Sequence, residues 1–446
     1  MSNESTVSGP SSISRIVIDR LFGYLNYTIP RTINKQADTS KLLILYGDNG
    51  SGKTTLLRLV YSLLSPPRAG SGDKTFIANT PFRSIRVEFN DGTSVSAVRP
   101  DESLLGNFRI IISDRFGLNE QFSITVREDG KVDTTGNPVD ELSKSLTALR
   151  VPLYFLPDDR RVQSTSLIEN NDRVSVVRRG VRSDLRPTVW GEPGQVSEDE
   201  PAHHLQIGPV LSRLHTWLSR KMLTGSTLGD ENAVTIYLRV AEQLSHLEGG
   251  LGDSRSSETF VSRIRKLEIR TEEFARFGLA ATFPSEKFVP IFQTSHLQAQ
   301  KAIADVLEPY LRGIEARLDA LEDVRSIVAV YQETLNAFFR NKRAHFTVRS
   351  GLAFTSQFGD PLNPYSLSSG EKQLLLLLSN TILARETSGI FLIDEPELSL
   401  NVKWQRELVS TLLKCAQGSN IQYILASHSI ELITQHKQNS VRLRNR

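Results

Sequence analysis

Residues 47–55 read Gly-Asp-Asn-Gly-Ser-Gly-Lys-Thr-Thr, and no other stretch constrains the fold of this chain as strongly. Gly47, Gly50 and Gly52 let the backbone curl so that successive amide hydrogens converge on one point, a path that larger side chains resist. An apolar run (42–46) precedes the loop and a helix-like run (56–64) follows it. Strand, loop and helix in that order make a cradle for phosphate, with the positive end of the helix pointing at the anion. The candidate ligands are Gly47, Asn49, Gly50, Ser51, Gly52, Lys53, Thr54 and Thr55. Lys53 reaches the β and γ phosphates, and the Thr54 hydroxyl is offered to Mg²⁺. A Gly-rich turn that merely opens a helix is the plain alternative. The sequence context favours an α/β domain that takes ATP or GTP.

Far downstream, Leu367, Ser368, Ser369, Gly370, Glu371, Lys372 and Gln373 open a strongly apolar segment (374–378). At such a helix start the Ser368 hydroxyl and the Gly370 amide suit a phosphate. A spacer leads to Gly389-Ile390-Phe391-Leu392-Ile393-Asp394-Glu395, which reads as a buried parallel strand ending on two carboxylates. Asp394 suits Mg²⁺ and Glu395 suits the polarising of a water, although before Pro396 the pair could equally cap a turn. Residues 421–428, Ile-Gln-Tyr-Ile-Leu-Ala-Ser-His, form another strand-like run that ends on His428.

Taken in this order, the motifs resemble the ABC-type ATPase head. The resemblance implies ATP and Mg²⁺, with Thr54 and a water-bridged Asp394 at the metal, Glu395 as the base for the attacking water, and His428 as the switch that touches the γ-phosphate. It also implies that Ser368 and Gly370 close over nucleotide held by another copy, so that ATP joins two chains into a sandwich dimer. The signature here is Ser368-Ser369-Gly370-Glu371 in place of the commoner Ser-Gly-Gly-Gln, nearer the chromosome-maintenance and repair branch than the transporters.

The expected head is split. Residues 1–12 are polar and Ser-rich and read as a disordered tail instead of a signal peptide. Residues 13–163 form a first lobe rich in strand signals (13–19, 85–90, 94–98, 109–113, 121–127, 151–156), with turns at Asn90-Asp91-Gly92 and Glu128-Asp129-Gly130. Gln163 is the candidate for the Mg²⁺-sensing glutamine that such heads carry. Residues 164–342 read as a mostly helical insert with a short coiled coil, and residues 343–446 as the second lobe. Within the insert, Arg173, Arg178, Arg179, Arg182 and Arg186 precede Pro and Gly residues and an acidic run (198–200), a pattern of a loop that could also face DNA or an acidic protein. Helical patterns follow at 205–223, 231–247, 258–277 and 296–340. In the last, Leu307, Leu311, Ile314, Leu318 and Leu321, then Val324, Val328, Tyr331, Leu335 and Phe338, form a heptad seam with one slip. Core packing of an antiparallel hairpin or bundle, and pairing between chains, both satisfy that pattern.

Composition narrows the class. No apolar stretch approaches the roughly 18 residues that span a bilayer, so no membrane role is expected of the chain itself. The single cysteine, Cys415, excludes internal disulfides and fits a cytoplasmic protein. The net charge of +3 permits nucleic acid without demanding it. His203 and His204 lack the partners of a zinc site.

The segment Asp394-Glu395-Pro396-Glu397-Leu398-Ser399-Leu400-Asn401, with Trp404 and Gln405 beyond it, resembles the stand-alone ABC ATPases related to the OLD family, many of them from anti-phage systems. The resemblance covers the head and makes Ser399 and Asn401 contacts across a dimer seam, although Asn401 stands where His is common. Only 446 − 428 = 18 residues follow His428, so the Toprim nuclease domain of OLD proteins is expected from a separate partner. Length, helical insert and head together most resemble the AriA-type ATPases of PARIS systems. That implies a homo-oligomeric scaffold of sandwich dimers in a higher-order assembly such as a hexamer, which holds a Toprim-like, AriB-type effector until a phage-encoded, DNA-mimicking trigger protein is sensed. Two alternatives stand beside it: a DNA-repair clamp of the Rad-fifty or RecF kind, and a Septu-like ATPase paired with an HNH nuclease.

Overall fold

The computed structural model describes residues 12–30, 40–67, 73–100, 102–133, 137–157, 163–164, 207–223, 255–294 and 297–444. They fall into two compact units, one of residues up to 164 together with 384–444, the other of 207–383. The first unit runs through β1 (Ile13–Leu21), β2 (Leu25–Ile29), β3 (Leu42–Tyr46), α1 (Lys53–Leu64), α2 (Asp73–Asn79), β4 (Ser84–Phe89), β5 (Ser94–Val98), β6 (Phe108–Ser113), β7 (Asn119–Ile124), α3 (Asn137–Ala148), β8 (Leu153–Leu156) and β9 (Gln163–Ser164). The second holds α4 (207–223), α5 (Arg255–Ala275), α6 (Ser285–Thr294), α7 (Leu297–Phe338), β10 (Lys342–Thr347), β11 (Gly351–Ser356), β12 (Pro361–Leu362) and α8 (Ser369–Ala384), whose last residue begins the return. The first unit closes with β13 (Gly389–Asp394), α9 (Val402–Cys415), β14 (Ile421–Ala426), α10 (Ile430–Gln435) and β15 (Ser440–Arg442).

Two six-stranded sheets build the first unit. One is antiparallel, in the order β2-β1-β4-β5-β6-β7. The other, β15-β3-β14-β13-β8-β9, is parallel except for β9. Every residue of β13 and β14 is buried, as a parallel strand covered on both faces requires. The helix α1 is buried at Leu56, Leu57, Leu59, Val60, Leu63 and Leu64, on all sides instead of one. Such a helix needs cover all round. It packs against β5 of the antiparallel sheet and against β8 and β13 of the parallel one, in one core that also holds Ile16, Val87, Phe155 and Leu392.

Buried cations close the two helices beside this core. The Lys74 ammonium of α2, 3% exposed, donates to the carbonyl of Leu63 at 2.9 Å, at the end of α1. Arg99, 1% exposed, donates in turn to the carbonyls of Ile77 (2.6 Å), Ala78 (3.1 Å) and Thr80 (3.1 Å) at the end of α2, and to Gly106. Orphan C-terminal carbonyls are thereby satisfied without water, and the positive charge meets the negative end of each helix. Burial pushes the Arg99 guanidinium down to about 10, still charged at neutral pH. Across the sheets, the buried Gln422 amide of β14 bonds both the N–H and the carbonyl of Ile13 at 2.8 Å, fixing the start of β1.

In the second unit the heptad seam is the inner face of α7: Leu311, Leu318, Leu321, Val324, Val328, Tyr331, Leu335 and Phe338 are buried. Its cover comes from the same chain, since α5 lies along α7. Arg263 binds Glu315 at 2.7 Å and Glu308, Arg270 binds Asp319 at 2.6 Å, and Arg325 reaches Glu273 at 3.6 Å. Residue numbers rise together along both helices, so α5 and α7 run in the same direction, with α6 between them in sequence. Of the arrangements that satisfy the seam, packing within the chain is present here, as a parallel pair of α5 and α7.

The sequence places the second lobe from 343 onward, whereas 343–383 cluster with the helices. Side chains of α7 explain why. Asn336 bonds the carbonyl and N–H of Ala344 (3.0 and 2.7 Å), Gln332 accepts from Phe346 N at 2.7 Å, and Tyr331 meets Ser379 of α8 at 2.7 Å. The helical pattern at 231–247, the arginines of 173–186, the histidine pair and residues 1–11 lie outside the described residues.

Candidate functional site

The carboxyl ends of β3, β14 and β13 lie side by side at one edge of the parallel sheet, where open α/β sheets take ligands. The phosphate loop leaves β3 and enters α1. Gly50 and Gly52 have φ of 82° and 77°, the left-handed region that the curl demands. A Cβ on Gly52 would stand 2.9 Å from Leu21, and one on Gly47 3.0 Å from the Ser51 hydroxyl and 3.2 Å from the Leu443 carbonyl. Tyr27 of β2 donates its hydroxyl to the Ser51 carbonyl at 3.0 Å, bracing the loop from the antiparallel sheet.

No side chain caps the N-terminus of α1, and its first turn carries no acidic residue. The Ser51 hydroxyl is buried without a hydrogen-bond partner. An uncapped helix start beside an unsatisfied hydroxyl in a glycine cradle suits an anion with several acceptor oxygens, as a polyphosphate is. Lys53 is 5% exposed and its ammonium donates to the carbonyls of Gly47 (3.1 Å) and Asp48 (3.3 Å). Burial pulls its pKa below the ordinary lysine value, opposed by the charges of Glu395, Asp394 and Asp48. Thr54 is exposed and Thr55 half-buried at the helix start. Asp48 also faces Arg442 of β15 at 3.6 Å.

Opposite the loop, β13 ends on Asp394, 2% exposed. Glu395 follows with φ of 46°, a left-handed position that an ordinary side chain occupies at a cost of about 1–3 kcal/mol. Its N–H is held by the Ala426 carbonyl at 2.9 Å. Burial first, and then the neighbouring Glu397 and Asp394 carboxylates, push the Glu395 carboxyl up to about 8. A carboxyl at about 8 holds its proton at neutral pH, and once ionised it is a stronger proton acceptor than a solvated one. The His428 ring, just past β14, places Nε2 3.5 Å from Glu395 Oε1.

Glu397, 8% exposed, is a site residue that reading the sequence missed. Its Oε1 accepts from Ser427 Oγ at 2.6 Å and from the backbone N–H groups of His428 and Ser429 at 2.9 Å each. The signal available was its place two residues past Glu395 within the acidic segment. Asn401 is the N-cap of α9, accepting from Trp404 N at 3.0 Å, which accounts for an Asn there. Gln405 ties the segment to the histidine loop, donating to the Leu400 carbonyl and accepting from Ser429 Oγ at 2.9 Å.

The fold therefore joins Gly47, Asn49, Gly50, Ser51, Gly52, Lys53, Thr54 and Thr55, on one strand-loop-helix turn, to Asp394, Glu395 and His428 at the same sheet edge. Thr54 and Asp394 offer the hard oxygen donors that Mg²⁺ takes. Gln163 is present as backbone at that sheet, paired with Phe155 in β9. Ser368 and Gly370 lie in the other unit, where Ser368 caps α8. Glu371 Oε2 accepts from Ser368 N at 2.7 Å and from the Lys342 ammonium at 2.6 Å, a capping box braced by an ion pair.

The first unit is a mixed α/β phosphate-loop fold, and the mostly helical second unit interrupts it in sequence. Residues 252–434 match the family described as "AAA domain, putative AbiEii toxin, Type IV TA system". The molybdenum import ATP-binding protein ModC of Pectobacterium atrosepticum is 33% identical over 124 residues, 25% of this chain and 34% of that protein. The "Retron Ec83 probable ATPase" of Escherichia coli is 28% identical over 165 residues, 30% of each chain. The "Retron Vc95 probable ATPase" of Vibrio cholerae is 34% identical over 181 residues, 32% of this chain and 35% of that protein. The chain thus spans about a third of the length of the curated relatives it matches. A Smc head domain with an extended coiled coil from Pyrococcus furiosus aligns over 97% of this chain and 94% of that one, at 12% identity and a TM-score of 0.39. Among the described residues no helix is long and apolar enough to cross a membrane.

Proposed function

We propose that the chain is an ATP hydrolase that works as a nucleotide-dependent switch and scaffold in anti-phage defence, controlling a separate Toprim-like nuclease as AriA-type ATPases of PARIS systems do. The observation that carries the hydrolase reading is the single sheet edge where the phosphate loop faces Asp394 and Glu395, with His428 3.5 Å from the Glu395 carboxylate. In this reading the loop amides and Lys53 bind the β and γ phosphates, and Thr54 and Asp394 hold Mg²⁺, which when bound supplies charge neutralisation to the phosphate oxygens. Glu395 takes the proton of the attacking water, and His428 orients Glu395 and senses the γ-phosphate. Ser368 and Gly370 reach the nucleotide of a second copy, which makes ATP the joint of a sandwich dimer.

The similarity to two retron ATPases and to a toxin–antitoxin family supports the defence setting. The trigger is a phage-encoded, acidic protein of the DNA-mimicking kind, for which the arginines of 173–186 are the sequence-based candidates. Co-purification with ATP and Mg²⁺ from cells expressing the native neighbouring genes tests this. A large assembly that contains a nuclease-like second protein supports the reading. A bare nucleotide-dependent dimer that binds duplex DNA overturns it in favour of a repair clamp.

A further inference from the structure

The acidic segment after β13 and the histidine loop after β14 are joined through Gln405 and through a buried side chain that the hydrolase reading leaves without a role. Glu397 is more than nine-tenths buried, and its Oε1 gathers three donors, Ser427 Oγ and the N–H groups of His428 and Ser429. Its other oxygen, Oε2, is also buried, and the side chain stands against the Glu395 carboxyl. A buried carboxylate set against a second one is costly to keep where shape alone is needed, because an apolar residue would fill the space without that penalty. Three charge-assisted bonds to consecutive residues fix the backbone on which His428 is mounted more tightly than neutral bonds would. The histidine itself is mounted on a short loop, with its ring 43% exposed and Nε2 3.5 Å from Glu395, and Glu397 is the side chain that binds the histidine's own backbone N–H.

We infer that Glu397 is a positioning residue for hydrolysis: it holds the His428 loop in register with Glu395 so that base and phosphate-sensing ring act as one unit. This rests on the hydrolase reading above. It assigns to Glu397 neither contact with nucleotide nor a proton-transfer step. A side chain that acts through His428 has two recognisable properties. Its loss lowers kcat while leaving nucleotide affinity in place, and its effect shrinks once His428 is gone to what its carboxylate does to Glu395 directly.

The test is steady-state ATP hydrolysis by the full chain with Mg²⁺, for wild type, Glu397→Ala, Glu397→Gln, His428→Ala and the double variant Glu397→Ala/His428→Ala. Glu397→Gln keeps a carbonyl acceptor for the three donors and is expected within about threefold of wild type, whereas Glu397→Ala loses roughly 10- to 100-fold in kcat with KM within about threefold. The losses in the double variant are expected to fall well short of multiplying. Should Glu397→Ala fail to fold, Ser427→Ala, which deletes the 2.6 Å bond to Glu397 and the 2.9 Å bond from Ser429 N but leaves both backbone donors on Glu397, carries the same test with a drop of about two- to fivefold in kcat and KM unchanged. Multiplying losses in the double variant, a Glu397→Gln as impaired as Glu397→Ala, or a loss confined to KM overturns the inference. A wild-type chain that cleaves ATP beside a Glu397→Ala that matches it overturns the inference alone. A wild-type chain that does not cleave ATP overturns the hydrolase reading and the inference together.

Discussion

Glu395 occupies a left-handed backbone position at the end of a fully buried strand, and its carboxyl is raised to about 8 by burial and by Glu397. The fold thus tolerates local strain and charge crowding at the residue best placed to accept a proton, a combination that concentrates at functional sites. Glu395→Gln preserves size and removes the base, so hydrolysis should fall by about 10²- to 10³-fold while bound ATP persists, as read by phosphate release and retained nucleotide. Lys53→Ala should instead abolish nucleotide retention, because the ammonium proposed for the β and γ phosphates is lost. A second residue-scale prediction concerns Glu371. Burial raises its carboxyl, but the Lys342 ion pair and the Ser368 bonds together outweigh burial and hold it below the ordinary carboxylate value. A depressed folded value contributes stability that is present above the unfolded value near 4.5 and is lost as pH falls through the folded one. Glu371→Gln should therefore melt earlier than wild type at pH 7, by about 1 kcal/mol in stability. The two melting curves should converge as pH falls through the folded value, and a gap that stays constant with pH would remove the ionic account of the capping box.

The elements of the first unit are held by contacts that differ greatly in how far they reach along the chain. Strands β3, β4, β5, β6, β8, β13 and β14 and helix α1 were legible because their signals are local: apolar runs, alternation, and Gly-containing turns at Asn90-Asp91-Gly92 and Glu128-Asp129-Gly130. The long-range ties were not. Ile13 bonds Gln422 across 409 residues, and Glu397 meets donors 30 to 32 residues away. No periodicity encodes either. Likewise the heptad seam of α7 was visible in sequence, yet its partner α5 and their common direction were not, since a seam states what it needs covered and not by what. Arg99 is the sharpest case: an arginine beside Pro100 reads as solvated, and the fold uses it to close α2. Arg99→Met should destabilise the first unit by about 3–5 kcal/mol, because it strands several buried carbonyls, and chemical denaturation would measure it. Asn401→Ala removes only an N-cap and should cost about 1 kcal/mol in the same assay, with hydrolysis nearly unchanged. A large loss of activity there would place Asn401 at nucleotide or at a second copy.

At the scale of the whole molecule, the phosphate loop with its carboxylates and the capped signature helix belong to two different compact units of one chain. The signature segment clusters with the helical insert through Tyr331, Gln332 and Asn336 of α7, so in this account whatever moves the helices moves Ser368 and Gly370 with them. Nucleotide binding would then be coupled to the insert through differential affinity for two arrangements, the form that any ligand-driven switch must take. The central claim is that the sheet edge bearing Lys53, Asp394, Glu395 and His428 hydrolyses ATP. It is tested most directly by phosphate release from ATP and Mg²⁺ with purified wild type, Glu395→Gln and Lys53→Ala, each also assayed for retained nucleotide. The account predicts turnover by wild type alone, retained ATP in Glu395→Gln, and neither in Lys53→Ala. Equal phosphate release by wild type and Glu395→Gln would contradict it.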